Sequence, residues 1–407
     1  MKTTKFKPSE VGPIPVEWEV KRFDDTFEHV SSKPFQIQSS EYQEGGKFQV
    51  VDQGQMEIVG YTDDGKKLFH VPREGVVIFG DHTRIVKFRE SDFVVGADGT
   101  QLLVGKECCT RFLFYVLQQL DIPNLGYSRH FKYVKEGRYA IPPTLPEQKA
   151  IAEALSDMDA LLAAMTTLIE KKRAIKQGAM QELLGMRHDE FGMGNEPIRR
   201  LAGFSGAWVE KRLGACGKSI RGVGYKPNQA YHEAGVGRTM LLRSNNVRDN
   251  VLNFEDVVYV ADECVSEEQR MLCGDILICS ANGSRNLVGK SARLNDDRAV
   301  TFGAFMMVFR PNETISSDIV CYLLQSDSYR QQIDDILTGS AINNLNAKDV
   351  LGLTFYVPPT LAEQKAIAAV LSDMDAEIAA LEAKWAKYER IRQGMMQELL
   401  TGKTRLV

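Results

Sequence analysis

Two polar loops carry the side chains of this chain that are best suited to contacting nucleic-acid bases. One runs from Gly126 to Lys132 and contains tyrosine, serine, arginine and histidine, and the other runs from Gly339 to Lys348 and contains three asparagines. Arginine and lysine suit guanine edges or phosphates, asparagine suits adenine, and serine can serve either. The alternative is that the asparagines only satisfy the backbone of turns.

Similar polar residues follow two apolar runs that have the character of buried strands. Val76 to Phe79 is followed by Gly80-Asp-His-Thr-Arg84, and Ile276 to Cys279 is followed by Ser280-Ala-Asn-Gly-Ser-Arg285. Loops at strand ends are common places for binding residues. The candidate DNA-binding residues are His82, Thr83, Arg84, Tyr127, Ser128, Arg129, His130, Lys132, Arg243, Asn245, Asn282, Ser284, Arg285, Asn286, Asn343, Asn344 and Lys348.

Three motifs approach known catalytic patterns and fail. Thr401-Gly-Lys-Thr404 lacks the upstream glycine of a phosphate-binding loop, because Gln397 stands at that position. The Pro-Pro-Thr segments lack the asparagine and the aromatic residue of an amino-methyltransferase motif, and no glycine-rich cofactor loop accompanies them. Glu147-Gln-Lys149 and its repeat fit a nuclease fragment, but no upstream aspartate is placed convincingly. We therefore predict no catalytic site, and the six scattered histidines indicate no metal site.

A duplicated segment must position these loops. Residues 142–184 match residues 358–400 at 27 of 43 positions without a gap. Each copy begins Pro-Pro-Thr-Leu-x-Glu, which predicts a helix with Thr144 or Thr360 as the N-cap. Glu147 and Glu363, three positions later, would complete a capping box.

The apolar residues of the repeat predict a coiled-coil seam. In the second copy they alternate at spacings of four and three, from Ile367 to Leu399, and in the first copy the pattern weakens at Lys172 and Lys176. Forty helical residues span about 60 Å, which is too long to be buried in one small domain. We expect the two helices to pair antiparallel as a spacer, although either seam could instead dock on another chain or on its own domain.

A weaker repeat marks where two globular modules begin. Trp18-Glu-Val-Lys-Arg-Phe23 resembles Trp208-Val-Glu-Lys-Arg-Leu213 at an offset of 190, whereas the helices repeat at 216, so the second module is 26 residues longer. Phe112 to Gln118 and Ile319 to Gln325 predict one equivalent amphipathic helix. The predicted fold class is α+β, with two α/β modules separated by the helical spacer in a pseudo-twofold arrangement.

These patterns divide the chain into five segments. The predicted segments are 1–141, the first globular module; 142–185, the first long helix; 186–198, a linker; 199–357, the second globular module; and 358–407, the second long helix and tail.

The composition is that of an ordinary globular protein. The chain has 407 residues, a formal charge of −4 and a pI near 6.0, which do not suggest a freestanding nucleic-acid binder. Gly126 to Arg138 is nevertheless locally basic, so a DNA surface must be local or be completed by a partner. We expect reduced cysteines, no membrane span, no signal peptide and a cytoplasmic location.

Four segments of the chain are distinctive: the helix start P-P-x-x-E-Q-x-x-I-A-x-x-L-S-x-x-D, the helix end Q-G-x-M-Q-E-L-L, the tail T-G-K-T-R-L and the segment Gly203 to Trp208. Together they resemble the specificity subunit of type I restriction-modification systems. The resemblance implies that each module reads one half of a bipartite, asymmetric DNA site while the helices fix the separation. It also implies that this subunit is not itself catalytic. Met186 to Pro197 departs from the pattern as an insertion.

The same resemblance implies partners and cofactors. The partners would be duplex DNA, two adenine methyltransferase subunits that bind S-adenosylmethionine, and two translocase-nuclease subunits that need ATP and Mg²⁺. No cofactor is expected in this chain. Three alternatives remain open: the specificity chain of a related bifunctional (type II) restriction-methylation system, a stand-alone DNA nuclease or methyltransferase, and a scaffold that does not bind DNA.

Overall fold

The chain folds into two compact units whose boundary lies within both long helices. The computed structural model describes residues 5–406 except 97, 125, 127, 188–195 and 339–342. Unit 1 contains residues 1–167 and 382–407, and unit 2 contains residues 168–381. The α-helices are α1 Phe23–Thr26, α2 Thr110–Gln118, α3 Phe131–Glu136, α4 Leu145–Leu184, α5 Leu213–Cys216, α6 Ser317–Leu323, α7 Asp327–Thr338, α8 Ala347–Gly352 and α9 Leu361–Leu400. None of these helices is both long and apolar enough to cross a membrane.

Unit 1 contains two four-stranded sheets. Their orders are β4-β11-β8-β9, all antiparallel, and β6-β5-β10-β7, in which β5 and β10 are parallel. A separate antiparallel pair, β3 with β12, joins the start of the module to its end. The strands are β1 Phe6–Lys7, β2 Ile14–Pro15, β3 Glu19–Arg22, β4 Phe27–Val30, β5 Phe48–Val51, β6 Gly60–Thr62, β7 Leu68–Phe69, β8 Val76–Gly80, β9 Val86–Arg89, β10 Phe93–Val95, β11 Thr100–Gly105 and β12 Arg138–Ile141.

Strand β8 explains how this module is layered. Its residues are all buried, and successive side chains of a strand point to opposite faces of the sheet. Val77 and Phe79 therefore pack in the cluster that contains α2, while Val76 and Ile78 pack with the second sheet. The continuous apolar run that predicts a buried strand thus lies between a helical layer and a sheet layer.

Unit 2 repeats the strand order of the first sheet, whereas the second sheets share three strands and add the fourth at opposite edges. Its sheets have the orders β16-β25-β22-β23 and β17-β21-β18-β24, with β18 and β24 parallel, and β15 pairs with β26. The strands are β13 Met186–Arg187, β14 Glu196–Pro197, β15 Val209–Arg212, β16 Gly217–Arg221, β17 Ala230–Tyr231, β18 Arg238–Leu242, β19 Val247–Arg248, β20 Val251–Leu252, β21 Val258–Ala261, β22 Ile276–Cys279, β23 Ser291–Arg293, β24 Val300–Phe302, β25 Met306–Pro311 and β26 Thr354–Val357. The predicted strands before the polar loops are thus confirmed as β8 and β22, and the predicted helix pair as α2 and α6.

The long helices α4 and α9 pack against each other in both units. In unit 1, Met396 and Leu399 share a core cluster with Ile151 and Leu155, and Arg392 forms an ion pair with Asp159. Contacting positions fall along one helix as they rise along the other, so the pairing is antiparallel, as the sequence predicts.

The same helix pairing in unit 2 explains why two lysines are found in the apolar seam of α4. Lys172 Nζ lies 2.7 Å from Glu377 and Lys176 Nζ lies 2.6 Å from Asp375, both across the helix pair. Asp375 also accepts a hydrogen bond from Tyr322 at 2.9 Å. These ion pairs replace apolar contacts without interrupting the seam.

Each long helix begins with the predicted threonine cap. Thr144 Oγ1 accepts a hydrogen bond from Glu147 N at 3.4 Å, and Thr360 Oγ1 accepts one from Glu363 N at 3.3 Å. The predicted capping role of the two glutamates is wrong. Both carboxylates are about 1% exposed, and Glu147 binds Arg405 while Glu363 binds Arg200 at 2.8 Å.

The glutamine after each glutamate connects the long helix to its module. Gln148 Oε1 accepts a hydrogen bond from Cys109 N at 2.8 Å, immediately before α2, and its amide donates to Pro142 O at 2.9 Å. Gln364 makes the same pair of bonds, with Ser316 N and with the Pro358 carbonyl. The Glu-Gln pair of the repeated motif is therefore a docking element.

We predict that Arg405→Ala destabilises unit 1 by about 3–5 kcal/mol, because removing one partner of a buried ion pair leaves the Glu147 carboxylate uncompensated. The measurement is urea denaturation, and the midpoint should fall. Adding Glu147→Gln to the same chain should recover part of the loss, because no buried charge then remains. Lys403→Ala, an exposed cation in the same tail, is the control, and equal midpoints for Arg405→Ala and Lys403→Ala would contradict the prediction.

Candidate nucleic-acid interface

Three loops meet in unit 1 around Gln53. They are the loop after β5, the loop after β8 and the turn before β11. The Gln53 side chain accepts a hydrogen bond from His82 N at 3.0 Å and donates one to Asp98 O at 2.7 Å. The backbone carbonyl of Gln53 accepts one from Thr83 Oγ1. Gln53 is absent from the predicted site, because nothing in its sequence surroundings shows that three separate loops converge on it.

A buried pair attaches this cluster to the start of α3. His130 N donates to Asp81 O at 2.8 Å, and Phe131 N donates to Asp81 Oδ1 at 2.8 Å. His130 is 0% exposed and its Nδ1 lies 3.0 Å from the same Asp81 carbonyl. Its predicted role as a DNA contact does not fit this burial, and we assign His130 a structural role instead.

The other predicted residues of unit 1 separate into two groups. His82 and Arg84 contribute to the loop structure, since His82 Nδ1 lies 3.2 Å from Ser128 O and Arg84 donates to Ile122 O at 3.0 Å. Arg129 and Lys132 are exposed. Within the described part of the chain, no hydrogen bond or ion pair engages either of these two side chains. Thr83 is exposed and Ser128 is half-buried, while Tyr127 lies outside the described residues.

A buried lysine supports the loop that carries Gln53. Lys87 is 4% exposed, and its Nζ donates to Asp52 O at 3.0 Å and to Met56 O. Burial lowers the pKa of Lys87, and the nearby Asp52 carboxylate opposes that shift. Ammonium donors bound to loop carbonyls fix the backbone, so the exposed face of the loop is presented in one conformation.

Unit 2 brings together the loop after β18, the loop after β22 and the segment before α8, which correspond to the loop after β5, the loop after β8 and the segment before α3. Asn282 N donates to Asn343 O and Asn343 Nδ2 donates to Gly283 O, both at 3.4 Å, which joins the loop after β22 to the segment before α8. Asn282 Nδ2 also lies 3.4 Å from Ser244 Oγ, in the loop after β18. Leu345 N donates to Ser280 O at 2.8 Å and completes the connection.

Several predicted residues of unit 2 also hold the loops in place. Arg243 Nη2 donates to Asp256 O at 3.2 Å, and Asn245 Nδ2 donates to Asp256 Oδ2 at 3.1 Å. Arg285 donates to Asp334 O and to Thr338 Oγ1 on α7, at 2.9 and 2.7 Å. The predicted residues of this unit that remain exposed outside such bonds are Ser284, Asn286, Asn344 and Lys348.

The two clusters occupy equivalent positions of one framework. The offset between matching residues is 190 at the module starts, 200 at β8 and β22, 207 at α2 and α6, and 216 at α3 and α8. The additional length of the second module is therefore distributed over several loops. Equivalent backbones that carry different polar side chains are suited to binding two different sequences of one kind of ligand.

The described residues do not indicate a metal centre. Within the part of the chain that the structure describes, no group of three or more His, Cys, Asp or Glu side chains is arranged to hold a metal ion. The exposed donors of the two clusters are instead guanidinium, ammonium, amide and hydroxyl groups, which suit the base edges and phosphates of nucleic acid.

Comparison with known proteins places this geometry in a family. The family model for the type I restriction modification DNA specificity domain matches residues 15–172 and 258–390. The type I restriction enzyme EcoKI specificity subunit of Escherichia coli (strain K12) is 32% identical over 195 residues, which cover 48% of this chain and 42% of that protein. The matched segment thus spans less than half of that relative.

Two further relatives match over nearly their full lengths. The type I restriction enzyme MjaVIII specificity subunit of Methanocaldococcus jannaschii is 23% identical, with 100% of this chain and 97% of the relative covered. The crystal structure of the type I restriction-modification system S subunit from M. genitalium superposes with a TM-score of 0.64 at 17% identity, covering 98% of each chain, which shows a shared fold. Because the family model covers well over half of the sequence, the chain belongs to the family of type I restriction-modification DNA specificity domains.

Proposed function

We propose that this chain is the DNA-recognition subunit of a type I restriction-modification complex, in which each module reads one half of a bipartite, asymmetric site. The observation that carries the proposal is the three-loop cluster, which occurs twice on one framework with different exposed side chains. Relatives of this chain by sequence are named specificity subunits of type I restriction enzymes.

The exposed donors supply the chemistry of recognition in this proposal. Arg129 can present two parallel N–H groups to a guanine, and Asn286 or Asn344 can pair with an adenine edge. Lys132 and Lys348, which are equivalent in the two modules, can bind phosphate or guanine. Because backbone and side-chain hydrogen bonds already hold the loops, little conformational entropy is lost when DNA binds.

The chemical steps belong to partner subunits in this proposal. Two methyltransferase subunits that bind S-adenosylmethionine would flip and methylate the target adenines, and two ATP- and Mg²⁺-dependent subunits would translocate and cut DNA. The chain itself would be non-catalytic. Its net charge of −4 is consistent with a DNA surface that the partners complete.

The long helices would set the separation of the two half-sites. Each helix has 40 residues and continues from one unit into the other. A continuous helix has a fixed rise of about 1.5 Å per residue, so its length does not depend on the DNA sequence that is bound. Half-sites read from one face of the duplex would lie about one helical turn, or about 34 Å, apart.

We predict that Arg129→Ala relaxes specificity at one position of one half-site by about 1–3 kcal/mol, because a base-reading arginine discriminates by that amount. The measurement is methylation of single-base variants of the site by the complete complex. Lys348→Ala should affect only the other half-site.

Lys66→Ala, an exposed cation on the turn before β7, is the charge-matched control and should leave both half-sites unchanged. The assignment of Arg129 fails if its replacement weakens binding to all sequences equally, which is the behaviour of a phosphate contact.

We predict that one heptad inserted into both α4 and α9 lengthens the accepted spacer by up to about three base pairs, because seven helical residues add about 10 Å. Insertion into both helices preserves the antiparallel pairing within each unit. Insertion into one helix alone should lower the free energy of unfolding. The reason is that the ion pairs and apolar contacts between α4 and α9 lose their register on one side of the insertion. If the complex with both insertions still methylates only the original site, the helices do not set the spacer length.

We predict that deleting the gene from its host removes methylation from one bipartite set of adenines in the genome, because no other chain would supply the same two half-site readers. Single-molecule sequencing of the two strains measures this directly. An unchanged adenine methylation pattern, in a host that expresses the protein, would reject the proposed function.

A further inference from the structure

One large apolar side chain is exposed at the centre of the loops of unit 2. Phe305 lies on the turn between β24 and β25 and is 72% exposed, whereas Phe302 and Phe309 on the adjoining strands are fully buried. It is absent from the predicted site, since a phenylalanine beside two strands is expected in the core. Isolated exposed apolar residues are common, so exposure alone does not indicate a function for Phe305. Its position among the loops is the relevant evidence.

The backbone of this turn is fixed by the loops of the candidate interface. The Phe305 carbonyl accepts hydrogen bonds from Ser280 N at 3.0 Å and Ala281 N at 3.2 Å, at the start of the loop after β22. Gly303 N donates to Leu242 O at 2.9 Å, at the end of β18. The turn therefore lies between the two loops that carry Asn282 and Arg243.

A third segment approaches the same turn from β16. Gly222 N donates to Met306 O at 3.2 Å, and a Cβ atom at Gly222 would lie 1.9 Å from the Gly303 carbonyl oxygen. Only glycine permits that approach. Three segments thus hold the backbone of the turn in place. Because this backbone is fixed, the Phe305 ring stays on the solvent-exposed surface.

The corresponding turn of unit 1 carries a glycine at the hydrogen-bonding position that Phe305 holds in unit 2. Gly96 N donates to Val51 O at 2.8 Å, as Gly303 does to Leu242, and Asp81 N donates to Gly99 O at 2.8 Å, as Ser280 does to Phe305. Gly99 therefore occupies the position of Phe305. The two turns share these backbone hydrogen bonds but differ in conformation, since Gly99 has a φ of +93°, in the left-handed region that favours glycine. The segment between the two strands is also one residue longer in unit 1 than in unit 2.

We propose that Phe305 contacts the 5-methyl group of a thymine in the half-site that the module of unit 2 reads. This inference rests on the proposed function. The thymine methyl is the apolar feature that the major groove presents, and phenylalanine is one of the side chains that contacts it. The neighbouring exposed groups are amides and cations, so the ring supplies the one kind of readout that they cannot.

The test compares thymine with deoxyuridine, which lacks only the methyl group. Binding of the complete complex is measured on duplexes in which the thymines of one half-site, and then of the other, are replaced. The native complex should lose about fourfold in affinity per contacted methyl for one half-site only. Phe305→Ala should bind thymine DNA about as weakly as the native complex binds the deoxyuridine DNA, and should be insensitive to the replacement.

Leu272→Ala is the matched control, because Leu272 is 56% exposed and precedes β22, at the opposite end of that strand from Ser280. It should retain the native response to deoxyuridine. The proposal is overturned if Phe305→Ala loses affinity equally on both DNAs, if it loses none, or if the half-site contains no A·T pair. A native complex that protects no specific site at all would instead reject the proposed function.

Discussion

A buried glutamate at the start of each long helix needs a cation, and that requirement organises both units. Glu147 binds Arg405, which follows the end of α9, and Glu363 binds Arg200, which follows the end of α4. A carboxylate this deeply buried is unfavourable unless it is paired. Each unit is therefore stable only when the start of one long helix lies against the segment after the other, which favours the antiparallel arrangement over other pairings of two similar seams.

The two arginines reach equivalent sites by different routes. Arg405 follows α9 directly, whereas Arg200 comes after the insertion that separates the halves of the chain. The ends of that insertion pair as β13 and β14, and Ile198 N donates to Gly185 O at 2.9 Å. This strand pairing returns the chain to the end of α4, where Arg200 binds Glu363.

Local patterns in the sequence predict the framework of helices and strands. They do not predict the long-range contacts that stabilise it. The threonine caps, strands β8 and β22 and the seam of α4 and α9 are readable because each depends on residues close together in the chain. The partner of Glu147 is more than 250 residues away, so the residues around Glu147 predict only a local capping role, which is wrong. Gln53, Gln148 and Phe305 escape prediction for the same reason, since each acts where distant segments meet.

The candidate site shows a further limit that is chemical. Arginine and asparagine are suited to base edges because they offer several hydrogen-bond donors, and those donors are equally suited to closing loops. Arg243, Asn245 and Arg285 have the composition of base readers, yet they bind Asp256 and α7. Which donors remain exposed depends on the folded loops. The division between structural and exposed members of the predicted set therefore depends on the folded structure, and DNA contact by the exposed members stays a prediction.

Backbone hydrogen bonds explain how one framework can carry two different loop surfaces. The turn at Gly99 and the turn at Phe305 accept the same kind of bond from the loop after the central strand, through a carbonyl that every residue has. The bond needs no particular side chain, so the fold is kept although Gly99 has a φ of +93° that Phe305 does not share. The central strands cannot vary in this way, because both of their faces are buried. Differences that alter recognition can therefore lie in the loops beyond the central strands, where the exposed donors and the phenylalanine are found.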